Sequence, residues 1–197
     1  MKQRLFPALL FSGLILASCG GGDTAAATCK EYWFTAEQIG ACLPDNWNVL
    51  DRAALDGRGA PQDVIIAFQL KDAVSGQFPT VSVTREPLAT VVDPVSYSDA
   101  TMRSVSVLPN YKFIDKRTVS ITATGGKSLS LPIHIFSAQP VAGEPQRRFS
   151  QLSLVVEKSG YTVTALTPLS VDSTLEAAVL KILESVTFTA PEETKKK

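Results

Sequence analysis

Ser173-Thr174-Leu175-Glu176-Ala177-Ala178-Val179-Leu180-Lys181-Ile182-Leu183-Glu184-Ser185-Val186-Thr187-Phe188 is the stretch that decides the fold. Leu175, Ala178, Val179, Ile182, Leu183 and Val186 recur at spacings of three and four, which places them on one face of an α-helix. Ser173 and Glu176 have the spacing of a capping box that would open it. A continuous apolar stripe of this kind must be buried, so the helix is expected to lie on a sheet, and Val186-Thr187-Phe188 follows it as a short extended end.

The sheet is written upstream. Residues 161–166 and 148–158 read as strands joined at Ser159-Gly160, a hairpin composition. A loop around residues 140–145 separates them from a strand over residues 128–137, and Thr124-Gly125-Gly126-Lys127 makes a tight turn back to strands at about residues 117–123 and 111–115. Residues 96–108 change period: Tyr97, Ala100, Thr101, Val105 and Leu108 fall along one helix face, with Pro109-Asn110 as its end. Further upstream, Thr80-Val81-Ser82-Val83-Thr84-Arg85 alternates with period two, Ser75-Gly76 turns the chain, and Val64-Ile65-Ile66-Ala67-Phe68-Gln69-Leu70 is a nearly continuous apolar strand. Asp56-Gly57-Arg58-Gly59-Ala60-Pro61 is a loop by its glycine and proline content, and residues 43–50 turn into another apolar strand. The fold class is α+β, with six or seven mostly antiparallel strands covered by a middle and a terminal helix.

The order of these parts resembles a known family. Leu43-Pro44-Asp45-Asn46-Trp47, Thr80 to Leu88, a middle helix ending before Tyr111, the strand-turn-strand of residues 118–131, Ser159-Gly160-Tyr161-Thr162-Val163-Thr164 and the terminal helix occur in the order of the PsbP-like fold. That family includes the Ran-binding Mog proteins, the periplasmic DcrB-type proteins and the LpqN-type lipoproteins. The resemblance spans about residues 41–189 and implies an α/β/α sandwich around an antiparallel sheet. It also implies a binding or accessory role rather than an enzyme, with no shared catalytic residue and no cofactor to carry over.

The amino terminus carries a second resemblance. Lys2 and Arg4 precede a charge-free apolar run over residues 5–17. That is too short for a transmembrane helix, which needs about 20 residues, and has the layout of a secretory signal. Leu16-Ala17-Ser18-Cys19 resembles the lipobox of bacterial lipoproteins, which implies cleavage after residue 18, lipid on Cys19 and a membrane as the first partner. Gly20, rather than Asp, implies the outer membrane facing the periplasm, or the outer face of the cytoplasmic membrane in a host with one membrane. Residues 19–28 then form a lipidated, small-residue tether, residues 29–189 a globular domain and residues 190–197 a disordered, charged tail.

With Cys19 assigned to lipid, Cys29 and Cys42 remain as an even pair, and an exported chain favours a disulfide between them. A metal or redox pair is the alternative, weakened by the spacing and by the single histidine. Between them, Thr35-Ala36-Glu37-Gln38 has capping-box spacing for a short helix.

Composition excludes more than it assigns. The chain has 19 basic and 19 acidic residues, and removal of Lys2 and Arg4 leaves 17 against 19, a net charge of −2, so nucleic acid is not an expected partner. Gly126-Lys127-Ser128 lacks the earlier glycine of a phosphate loop, since Ile121 stands there. His134, with Asp99 or Asp172, offers a general base, but there is no nucleophile motif, so the catalytic residues are none and the metal ligands none. Tyr32, Trp33, Phe34 and Trp47 either mark a binding surface or pack in the core. The sequence therefore predicts a lipid-anchored accessory domain for another envelope protein. A small-ligand carrier with a pocket between sheet and terminal helix is the alternative, and a hydrolase the weakest one.

Overall fold

The computed structural model describes residues 29–122 and 128–190. The expected signal, Cys19, the tether, the turn containing Gly126 and Lys127, and the terminal lysines lie outside the described residues. The chain runs β1 (Lys30–Phe34), β2 (Ile39–Leu43), β3 (Trp47–Leu50), α1 (Arg52–Asp56), β4 (Val64–Leu70), β5 (Thr80–Pro87), α2 (Pro94–Val105), β6 (Lys112–Thr122), β7 (Ser128–Ala138), β8 (Arg147–Val156), β9 (Ser159–Pro168) and α3 (Ser173–Ser185). Seven strands form one sheet in the order β3-β4-β5-β9-β8-β7-β6, every neighbour antiparallel, and β1 and β2 form a separate hairpin.

The period-two alternation of the strands sorts their side chains onto two faces. In register, Ile133, Leu152, Val163 and Val83 point to one face, where they join Leu175, Val179, Ile182 and Leu183 of α3 and Ile39, Ala41 and Leu43 of β2 in the main core. The adjacent row, Lys116, His134, Gln151, Thr164 and Ser82, points to the opposite face. There α2 packs over β7 and β8, and α1 covers Ala67 and Leu50. The result is an α+β sandwich with helices on both sheet faces.

Several local expectations are corrected. Residues 35–38 are not a helix but the turn of the β1–β2 hairpin, where Phe34 pairs with Ile39 and Gln38 takes a φ of 56°; an isolated helical turn cannot compete with a formed ladder. The N-cap of α3 is Asp172, whose carboxylate accepts from Leu175 N at 2.7 Å. This shifts Glu176 out of the capping-box position, and its Oε1 instead accepts from Arg117 at 2.9 Å and Arg148 at 3.1 Å. The expected strands at 111–115 and 117–123 are one strand, β6, with an irregularity between Phe113 and Asp115.

On α2, Ala100 is exposed and Ser98 is fully buried in its place. The hairpin after β8 turns at Glu157-Lys158, with Glu157 at φ 55°, and Gly160 lies inside β9 opposite Val155. Gly160 is there for contact: a Cβ on it would sit 2.5 Å from Tyr97 Cζ and Oη, so only glycine lets the Tyr97 ring rest on the strand.

Candidate binding site

Of the four aromatic residues near the amino terminus, the fold separates two from the others. Trp47 is buried in the main core, and Phe34 packs on Phe68 with ring centroids 5.6 Å apart. Tyr32 is exposed and Trp33 half-buried, and both line a cleft of about 400 Å³ with Glu31, Gly40, Cys42 and Ser185. The cleft lies where the hairpin meets the end of α3. Gly40 N donates to Thr187 O at 2.8 Å, Thr187 N donates to Gly40 O at 3.0 Å, and Cys42 N donates to Ser185 Oγ at 2.9 Å. A Cβ at Gly40 would meet Thr187 Cγ2 at 2.7 Å, so glycine permits this close approach.

Cys29 and Cys42 form a disulfide with Cα atoms 5.4 Å apart. It joins the residue just before β1 to β2, so the start of the domain is tied to the strand that α3 holds. Lys30 Nζ stands 5.3 Å from the Tyr32 ring centroid, a cation placed on the one exposed aromatic of the hairpin.

The α2 face holds the other polar site. Ser98 Oγ lies 3.4 Å from His134 Nε2, and Thr101 Oγ1 donates to Ser98 O at 2.8 Å and lies 2.9 Å from Ser153 Oγ. Ser153 Oγ lies 3.2 Å from Thr162 Oγ1, and Tyr97 Oη donates to Glu86 Oε1 at 2.7 Å. Burial and the Glu86 bond push the Tyr97 hydroxyl up to about 12, so it stays a donor at neutral pH. Burial, reinforced by the Lys116 charge and opposed by Asp99, holds His134 below the ordinary histidine value.

The Ser98–His134 contact has the atoms of a nucleophile and base but not their setting. Ser98 is 0 % exposed and His134 7 %, so the serine hydroxyl is not presented to solvent. Asp99 makes no hydrogen bond to His134 among the described residues, and Asp172 is the cap of α3 on the other sheet face. Sequence reading found His134 but missed Ser98, because a serine inside an amphipathic helix carries no sign of its partner. Among the described residues, no group of three or more His, Cys, Asp or Glu is placed to hold a metal ion, and no helix is long and apolar enough to cross a membrane.

No family model matches the chain, and no curated protein matches its sequence. Solved structures do match its fold. LpqN of Mycobacterium tuberculosis, a protein involved in cell envelope biogenesis, aligns with a TM-score of 0.55 at 16% identity over 76% of this chain and 82% of that one. The Ran-binding protein Mog1p of Saccharomyces cerevisiae gives 0.52 at 9% identity, over 80% and 94%. The cyanobacterial PsbP of Synechocystis sp. PCC 6803 gives 0.50 at 15% identity, over 87% and 97%. The domain therefore has the PsbP-like fold shared by LpqN and Mog1p. Identities this low show the fold alone, and fold does not assign function.

Proposed function

We propose that this protein is an exported lipoprotein, anchored through lipid on Cys19, whose domain serves as a non-catalytic accessory to another envelope protein. The observation that carries the reading is the disulfide-tied hairpin at the start of the domain, with its cleft and the exposed Tyr32. Disulfides persist in oxidising compartments, which supports export. The lipobox resemblance at residues 16–19 supplies the anchor, and Gly20 favours the outer membrane. A cleft at the membrane-proximal end lets a partner in the same membrane meet the domain without a long search, since a tether raises effective concentration. A photo-crosslinking amino acid at Tyr32 should capture a discrete partner in intact envelopes, whereas one at Val107, exposed beyond α2, should not. Recovery of free monomer from both positions would remove the accessory reading, and an intact mass with unmodified Cys19 would remove the anchor.

A small-ligand carrier is the second reading. A cavity of about 190 Å³ lies between the sheet and α3, lined by Trp47, Leu70, Val74, Thr174, Leu175 and Ala178. Trp47 Nε1 is buried without a hydrogen-bond partner among the described residues. An indole N–H facing hydrocarbon is unfavourable, and a ligand carbonyl or ether would satisfy it. Native mass spectrometry of the purified protein should then show a co-purifying mass, lost in Trp47→Phe.

A further inference from the structure

We propose that the groove on the α2 side of the sheet is a binding site for a small primary amine. The groove holds about 250 Å³ and runs over β5 and β9 beside α2, lined by Asp63, Thr84, Glu86, Tyr97, Gln151 and Thr164 among others. Four of its hydroxyl protons are already engaged. Ser104 Oγ donates to Thr101 O at 2.8 Å, Thr84 Oγ1 donates to Thr162 O at 3.3 Å, Thr101 Oγ1 donates inward to Ser98 O at 2.8 Å, and Tyr97 Oη donates to Glu86 at 2.7 Å. These groups therefore offer the groove lone pairs. Asp63 and Glu86 add two carboxylates against one lining cation, Arg85.

Gln151 points to a ligand independently. It is 7 % exposed, its Nε2 makes a single long bond to Thr164 Oγ1 at 3.3 Å, and its Oε1 has no partner among the described residues. A buried amide oxygen without a donor is unfavourable. In the structure this oxygen is buried and Nε2 meets Thr164; the last torsion of a glutamine side chain is broad, and in the proposed complex the amide turns its oxygen to the groove at the loss of that one weak bond.

An anion would meet two carboxylates here, and a neutral alcohol would leave their charge unanswered. A primary ammonium has three donors and no acceptor, which complements the lone pairs of these four hydroxyls and the two carboxylates. One N–H reaches Gln151 Oε1, the charge lies toward Glu86 and Asp63, and the alkyl stem rests on the Tyr97 ring, whose face also attracts a cation. The volume is below the 300–1,000 Å³ typical of sites for drug-sized ligands, so the fitting amine is short.

The test is titration of the full-length protein with propylamine and with cadaverine, following the backbone amide signals of Thr84, Gln151 and Thr162. Saturable shifts confined to these residues are expected, with a dissociation constant tighter than about 10 mM. Gln151→Leu should weaken binding about tenfold or more while its melting temperature holds or rises, because the unpartnered oxygen is gone. Glu86→Gln keeps an acceptor for Tyr97 but loses the charge, and should weaken binding as well, which preserves the test if Gln151→Leu does not fold. The proposal is overturned by shifts that do not saturate, by equal shifts with propanol or acetate, or by folded variants that both bind as the wild type does. None of these outcomes bears on the accessory reading, whose contacts lie at the hairpin on the other sheet face.

Discussion

Ile182 and Ser98 are both fully buried against the same seven-stranded sheet, one on α3 and the other on α2, and their surroundings are opposite in chemistry. Ile182 belongs to a continuous apolar core shared by α3, β2 and all seven sheet strands; Ser98 meets His134, with Thr101, Ser153 and Thr162 continuing the polar layer. Burial on the first face is non-directional and scales with area, about 25 cal/mol per Å². Polar contacts on the second face contribute about 0.5–1.5 kcal/mol each when made, and an unpartnered group left there is destabilising by about 1–3 kcal/mol. The α3 side is therefore held by quantity of surface and tolerates small shifts. The α2 side has a smaller apolar cluster, Met102 and Val105 on Phe136 and Phe149, but around Ser98 it is held by placement and does not.

The comparison breaks most readily at Ile182. Ile182→Ala should destabilise by about 2–5 kcal/mol through lost transfer energy plus a cavity, read as a lower urea midpoint with an unchanged slope. Ser98→Ala, which removes one long contact, should do far less. Equal effects would mean that the two faces are not differently held. Next in size is the hairpin that completes the α3 face. Its disulfide closes a separation of 13 residues, and Cys29→Ser with Cys42→Ser should lose about 3 kcal/mol in the chain-entropy model. A smaller loss would show that the contacts of β2 with Ser185 and Thr187 already hold the hairpin in place.

Gly160→Ala tests placement on the α2 face. The added methyl would stand 2.5 Å from the Tyr97 ring, and a forced overpacking of this kind is destabilising by about 1–3 kcal/mol. Combining it with Tyr97→Ala should give less than the sum of the two single effects, since contacting residues couple. Strict additivity would remove the claim that Gly160 exists for Tyr97.

The difference between the faces also explains what could be read from sequence. The α3 stripe, the apolar β4 and the alternating β5 are repeats of hydrophobicity, and their spacing alone located them. The polar layer has no such signal. Ser98, Ser153, Thr162 and Gln151 are ordinary strand and helix surface residues until the register sets them side by side, and their burial is a property of the assembled sheet. Gly160 misled for a related reason: its composition fits a turn, whereas its position answers to Tyr97, far away in sequence. In the hairpin, Cys29 and Cys42 were legible as a pair, but the strands between them were not. Residues 35–38 carry helix-capping chemistry that a four-residue turn uses equally well. The cleft was legible only in part, since Tyr32 and Trp33 stood out as aromatics while Gly40, Ser185 and Thr187 did not.

The smallest expected effect is the most diagnostic of a polar face. His134 is faced by Ser98 and Asp99 of α2, Lys116 of β6 and Gln151 of β8, and its burial lowers its pKa below the ordinary value. The folded protein therefore holds the neutral ring where the unfolded chain, with a histidine value of about 6.5, already binds a proton. Because the unfolded state binds more protons, stability rises with pH across that window. The contribution is complete above about 6.5 and is lost as pH falls through the folded value. Unfolding midpoints measured from neutral pH down to about pH 5 should thus fall more steeply for the wild type than for His134→Gln, which keeps a polar partner for Ser98 but does not titrate. An apolar face would give parallel curves. Parallel curves here would mean that His134 is no more desolvated folded than unfolded, and the polar layer would lose its buried end.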